Sequence, residues 1–131
     1  MIFVDTNYFL RFLIRDIDDQ HDTAKDLFKR GAEGKIQLCT SVIVVFEIYW
    51  VLASVYENRK EELVDALRSV MKMTFIEFEQ EELLRQAIEL FKESTIEFED
   101  AYNLSYAHTQ EVDGFMTFDK KLQREYARER K

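Results

Sequence analysis

An apolar run without polar alternation, Ile2-Phe3-Val4, stops abruptly at Asp5. A strand covered on one face alternates apolar and polar residues. An uninterrupted run therefore reads as a strand covered on both faces, the condition of a parallel sheet inside an α/β domain. Ligands of such sheets bind just beyond the carboxyl ends of the strands, which is where Asp5 falls. The same Asp can equally end its strand or cap the helix that follows through Thr6 and Asn7.

The remainder of the chain supplies helices and further strands in alternation. Apolar residues from Tyr8 to Ile14 predict a short helix, and Ala24, Leu27 and Phe28 mark a second from about Asp22 to Arg30, ended by Gly31 to Gly34. A strand over Ile36 to Thr40 follows. Ser41 is placed to cap a helix reaching about Tyr56, and Leu63, Ala66, Leu67 and Val70 mark another. Thr74 to Phe78 reads as a third strand, with a helix after it carrying Leu83, Leu84, Ala87, Ile88 and Phe91 inward. A helix from Glu99 to Thr109, a fourth strand over Gly114 to Phe118 and a basic terminal helix from Asp119 complete the pass. Alternation of this kind predicts an α/β fold in three layers, with a parallel sheet of about four or five strands flanked by helices. Pro is absent and Gly occurs three times, so no linker is marked and 1–131 reads as one domain.

The single cysteine, Cys39, excludes an intramolecular disulfide, points to a reducing compartment and reads as a buried small hydrophobe. No cationic start with an apolar leader is present, and the longest apolar run, Val42 to Ala53, is too short for a membrane span and carries Glu47 at its middle. A cytoplasmic protein without a membrane segment is expected. The net charge of −8 argues against a broad nucleic-acid surface. That charge is unevenly spread: Lys120 to Lys131 holds six of the 18 basic residues and two of the 26 acidic ones, leaving 12 basic against 24 acidic residues elsewhere. An acidic body with a basic tail suits a carboxylate site that needs cations plus a local patch for a polyanion, and it equally suits a solvated terminal helix.

Four carboxylates stand out. One helical turn from Glu47 lie Ile43, Val44, Trp50 and Val51, so Glu47 belongs to no solvated stripe and faces the interior or a cleft. A buried carboxylate must be neutralised, paired or metal-bound, and the helix offers no Lys or Arg; the plain alternative is a Glu reaching solvent or a distant Arg. Asp119 repeats the pattern of Asp5 by closing an apolar run, Phe115 to Phe118. Asp100 opens a helix with Ala101, Leu104 and Ala107 on its apolar face, where it or Glu99 also suits the helix dipole. Convergent carboxylates repel one another unless a divalent cation binds among them, and oxygen ligands select Mg²⁺ or Mn²⁺ over zinc. His21 and His108 form no His/Cys motif and read as surface or packing residues, and the aromatics, Trp50 included, fit core positions. The loops of P-loop, dinucleotide-binding and serine-hydrolase proteins are missing. Metal-assisted hydrolysis of nucleic acid is the leading chemistry.

These residues carry a resemblance to the PIN-domain ribonucleases, and among them to VapC-type toxins of toxin–antitoxin pairs. It rests on Ile2-Phe-Val-Asp-Thr-Asn7, Thr40-Ser41 with Glu47 and Val51-Leu52, Phe98-Glu-Asp-Ala101 with Ser105 and Ala107, and Met116-Thr-Phe-Asp-Lys-Lys-Leu122. Ser105 departs from it, because a small apolar Ala is usual there. The resemblance implies that the acidic quartet is Asp5, Glu47, Asp100 and Asp119, and it selects Asp100 over Glu99. Asp5, Asp100 and Asp119 would hold the metal, with Glu47 completing the shell or orienting the attacking water. Thr6, Asn7 and Thr117 would support them.

The implied function is a Mg²⁺- or Mn²⁺-dependent endoribonuclease, held in check by a cognate antitoxin and forming a homodimer. Arg11, Arg15 and the Lys120 to Lys131 patch are candidates to meet RNA phosphates or an acidic antitoxin segment. The rival reading is a non-cleaving PIN-like module that binds RNA or protein around a structural cation.

Overall fold

The computed structural model describes residues 1–129; Arg130 and Lys131 of the basic tail lie outside them. The chain forms two compact units, the first Met1–Glu81 and the second from Glu82 onward.

In the first unit, strands β1 (Ile2–Phe3), β2 (Leu38–Thr40) and β3 (Ile76–Phe78) form a parallel sheet in the order β1-β2-β3. Ile2 pairs with Leu38 and Leu38 with Ile76. Parallel strands need crossovers, and helices α1 (Thr6–Leu13) and α2 (Asp18–Ala32) link β1 to β2, while α3 (Val42–Ser54) and α4 (Lys60–Met71) link β2 to β3. Helix α2 comes down on β2 at Gly31, where a Cβ would stand 2.7 Å from Leu38 Cδ1. A side chain there would force Leu38 to shift. The chain leaves α2 through Gly34 at φ 77°, with Lys35 N–H returned to Arg30 O.

The core of this unit follows from the apolar faces of the elements. Phe9, fully buried on α1, lies with its ring centroid 5.4 Å from Phe28 of α2 and 6.3 Å from Phe78 of β3. Each such ring contributes roughly 1.5–3 kcal/mol by leaving water. His21 is buried in the same helix pair, its Nδ1 3.1 Å from Arg11 O and its ring stacked on Phe12, which makes it a packing residue.

The second unit holds most of α5 (Glu81–Glu93), then α6 (Phe98–Thr109) and α7 (Lys120–Glu129). Leu84, Ala87, Ile88 and Phe91 form the buried stripe of α5, and Phe91 meets Phe98 edge-on at 5.9 Å. Ser105 is buried in α6, so its departure from Ala is accommodated inside the packed face.

The sheet corrects several expectations. It has three strands among the described residues, not four or five, and Gly114 to Phe118 forms no strand. Met116 is 92% and Phe118 104% exposed, and local contacts hold the segment: Gln123 Nε2 donates to Thr117 O, and Phe115 stacks on Tyr126. Apolar composition suits a strand, but strand formation needs a ladder partner, and this segment has none among the described residues. Strand β1 is an edge strand with Ile2 and Phe3 exposed, not one covered on both faces, and β2 is central. Trp50 is 43% exposed, so it is not a core residue, and Cys39 is half-buried.

Candidate active site

Polar side chains organise the carboxyl ends of the first unit's strands, where α1 and α3 begin. Thr40 Oγ1 donates to Val4 O at 2.8 Å, pinning the end of β1 to β2 in a buried position. The next residue, Asp5, is extended (φ −85°, ψ 166°) and caps α1, with Oδ1 accepting from Thr6 N at 2.8 Å. Ser41 Oγ caps α3 by accepting from Val44 N. Glu79, just past β3, accepts from Val42 N at 3.0 Å through Oε1.

Asp5 is exposed at this edge, and its cap bond uses Oδ1. The capping reading of Asp5 therefore holds without excluding a second role for the carboxylate. Glu47 lies on α3 between buried Phe46 and Ile48 and is itself half-buried. Its Oε1 accepts from Thr6 Oγ1 at 3.1 Å, and Thr6 is only 7% exposed. The helix carries no basic residue, so a neighbouring hydroxyl supplies what a cation does not. Asn7 is exposed on the first turn of α1.

In the second unit, Asp119 ends the irregular segment and opens α7. Its Oδ1 accepts from Lys121 N at 2.9 Å and Leu122 N at 3.2 Å, the geometry of an N-cap. Thr117 Oγ1 accepts from Asp119 N at 3.1 Å, so Thr117 fixes the backbone from which the carboxylate projects. Asp119 thus repeats the capping role of Asp5, although no strand precedes it. Asp100 is half-buried in the first turn of α6. Its carboxyl titrates above the ordinary range because burial withdraws water and because Glu99, Asp119 and Glu97 add negative charge, offset in part by Lys121.

The four expected carboxylates thus fall two in each unit. Among the described residues none of them is ion-paired with Lys or Arg. Nor are three or more His, Cys, Asp or Glu side chains grouped there to hold a metal ion. The donor chemistry nevertheless suits a hard cation: carboxylates and hydroxyls only, with Asp100 carrying a repulsion that a divalent ion relieves.

Sequence reasoning passed over Glu79, whose signal was the one used for Asp5, an acid directly after a strand. Arg11, a candidate for RNA phosphates or an acidic antitoxin segment, has Nη1 3.3 Å from Asp16 Oδ1. Arg15 is exposed. A cavity of about 410 Å³ at the far end of α6, lined by His108, Glu111 and Glu129 among others, contains none of the four carboxylates and is not the site. No helix among the described residues is long and apolar enough to cross a membrane.

No curated protein matches the chain. A crystal structure of the Mycobacterium tuberculosis toxin VapC20, described as cleaving the sarcin–ricin loop, is similar at 23% identity over 93% of this chain and 92% of that one, with a TM-score of 0.45. The PIN-domain family model matches residues 2–128 and so takes in every candidate residue. By that match the chain belongs to the PIN-domain family.

Proposed function

We propose that the chain is an endoribonuclease that hydrolyses RNA phosphodiester bonds with Mg²⁺ or Mn²⁺, and that it is the toxin of a toxin–antitoxin pair. The observation that carries the nuclease reading is that a PIN-domain chain keeps Asp5, Glu47, Asp100 and Asp119 without a basic partner among the described residues. Carboxylates left in that condition suit a divalent cation. The toxin reading is supported by the VapC-type motifs from Ile2 to Leu122.

Asp5, Asp100 and Asp119 are the metal ligands in this proposal. A bound Mg²⁺ or Mn²⁺ lowers the pKa of its water and neutralises charge on the phosphate. Glu47 would complete the metal's shell or orient the attacking water and take its proton, which passes to the ester oxygen that leaves phosphorus as the water oxygen bonds to it. The Thr6 hydroxyl occupies Glu47 Oε1 and so fixes the carboxylate's orientation for that task. Thr117 does the same for Asp119 through the backbone. Asn7, exposed one residue after Thr6, supports the substrate side. The partners that go with this reading are an RNA substrate, a cognate antitoxin and a second copy of the chain, in the cytoplasm. Exposed Lys120, Lys121 and Arg124 on α7 offer charge to an acidic antitoxin segment or to RNA.

The test is incubation of the full chain with end-labelled RNAs and Mn²⁺. Cleavage by the wild type and none by Asp5→Asn or Asp119→Asn, with circular dichroism unchanged, is the expected result. Cleavage by either Asn variant overturns the assignment. A wild type that binds RNA without cutting any of the panel supports the structural-cation module instead.

A further inference from the structure

The face of α1 that begins at Asn7 borders a cavity that the four carboxylates do not use. It measures about 330 Å³ and is lined by Asn7, Tyr8 and Arg11 of α1 and by Gln20 and Thr23 of α2. Asn7 and Tyr8 lie four and three residues before Arg11, and Gln20 three before Thr23, so each helix presents its set on one face. The volume is at the lower end of the range for small-ligand sites. All five residues belong to the first unit, and the cavity opens two residues after Asp5.

Its chemistry is amide, hydroxyl and aromatic more than ionic. The one cation, Arg11, is already compensated: Nη1 lies 3.3 and 3.4 Å from the two Asp16 oxygens, and Tyr56 Oη donates to Asp16 Oδ2 at 3.2 Å and holds that carboxylate in place. Arg11 Nε is buried without an acceptor, a donor that the protein leaves unused. A phosphate subsite needs uncompensated positive charge, and this lining has none. What remains are two carboxamides that each offer a donor beside an acceptor, the Thr23 hydroxyl, which donates to Asp19 O at 2.9 Å and is left as an acceptor, and the ring of Tyr8, 40% exposed and stacked on no other ring among the described residues. Unstacked bases of single-stranded RNA are recognised by such a combination, through stacking on an aromatic face and hydrogen bonds to the base edge. On the Hoogsteen edge, adenine is the one base to which a carboxamide makes two bonds, through N6 and N7, whereas guanine there calls for a guanidinium fork, and Asp16 already engages this one.

We propose that the α1–α2 cavity is a nucleobase subsite that takes an unpaired adenine of the RNA strand, with Tyr8 as the stacking face and Gln20 and Asn7 as the readers. The proposal rests on the ribonuclease reading for its substrate class, and it makes this cavity the place where sequence preference arises.

Binding in EDTA separates it from catalysis. Fluorescence anisotropy with the full chain and labelled pentanucleotides of A, U and C, checked intact on a gel afterwards, measures affinity without a cleavage step. The oligomer of A is expected to bind about tenfold more tightly than those of U and C, the scale of one bidentate amide–base pair. Gln20→Ala and Tyr8→Ala, both at exposed positions, are expected to remove that preference while leaving the circular dichroism unchanged. Equal affinity of the wild type for the three oligomers overturns the proposal, as does a preference that survives both substitutions. A uniform loss for all three oligomers, with a shallower salt dependence, identifies a phosphate contact and also overturns it. Base-selective binding combined with no metal-dependent cleavage leaves the subsite standing and removes the nuclease reading, so the two failures are distinct.

Discussion

The hydroxyl of Thr6 donates to Oε1 of Glu47 across 3.1 Å, tying the first turn of α1 to the middle of α3. Thr6 is 7% exposed, so water does not readily replace the bond. Thr6→Val keeps the shape and removes the donor, leaving a half-buried carboxylate without its partner. Hydrogen bonds to charged groups are worth roughly 1.5–3 kcal/mol, and a loss of about 2 kcal/mol is expected in urea unfolding. RNA cleavage should fall with it, and Thr6→Ser should restore both. Full activity in the Val variant would show that Glu47 does not depend on this orientation.

Asp119 both caps α7 and carries charge, and two substitutions separate these roles. Asn caps a helix as well as Asp does, whereas Ala costs about 1 kcal/mol. Asp119→Asn is therefore expected to melt with the wild type and Asp119→Ala below it, while both lose cleavage. If Asp119→Asn retained cleavage, capping would be the residue's whole contribution.

The sequence made the elements of the first unit readable because their apolar spacing is local. The three-residue run at β1, the Gly31 to Gly34 stop and the Ser41 cap each sit within a few residues of their predicted places. Helix α2 starts at Asp18, earlier than its apolar residues indicate, because Asp18 and Asp19 in its first turn complement the dipole while reading as a polar break. The lateral order of strands was not legible. Ile2, Phe3, Met116 and Phe118 have the composition of covered strands and are exposed, since coverage depends on what lies alongside and not on the residue itself. Glu47 stood out on an apolar helix, whereas Glu79 was hidden in the acidic run from Glu77 to Glu82. The neutralisation of Arg11 by Asp16 depended on a turn whose geometry periodicity does not describe.

Asp100 gives the molecule a pH signature. Its carboxyl is raised above the ordinary 3.8, first by burial and then by Glu99, Asp119 and Glu97, so the native state binds that proton more tightly than the unfolded chain does. Stability from this group therefore falls as pH rises through the interval between 3.8 and the native value, and the full cost is present above it. Asp100→Asn is expected to melt above the wild type at pH 7, with the difference closing as the pH falls below the unfolded value of about 3.8. Thermal melts of both proteins across this range measure it. A constant offset at all pH values would place the effect in packing instead.

The same repulsion predicts how the protein answers a divalent ion. Binding to the native state alone stabilises by RT ln(1 + [L]/Kd), about 1.4 kcal/mol at ten times the dissociation constant. For a chain of this length that corresponds to a rise in Tm of roughly 5 °C. Mn²⁺ or Mg²⁺ should produce the shift in the wild type, and EDTA should reverse it. Asp100→Asn should start from the higher Tm described above and gain little more, because the substitution and the ion relieve the same charge. A full metal-induced shift in Asp100→Asn would remove Asp100 from the ligand set, and a shift equally large with K⁺ at matched ionic strength would assign the effect to general screening.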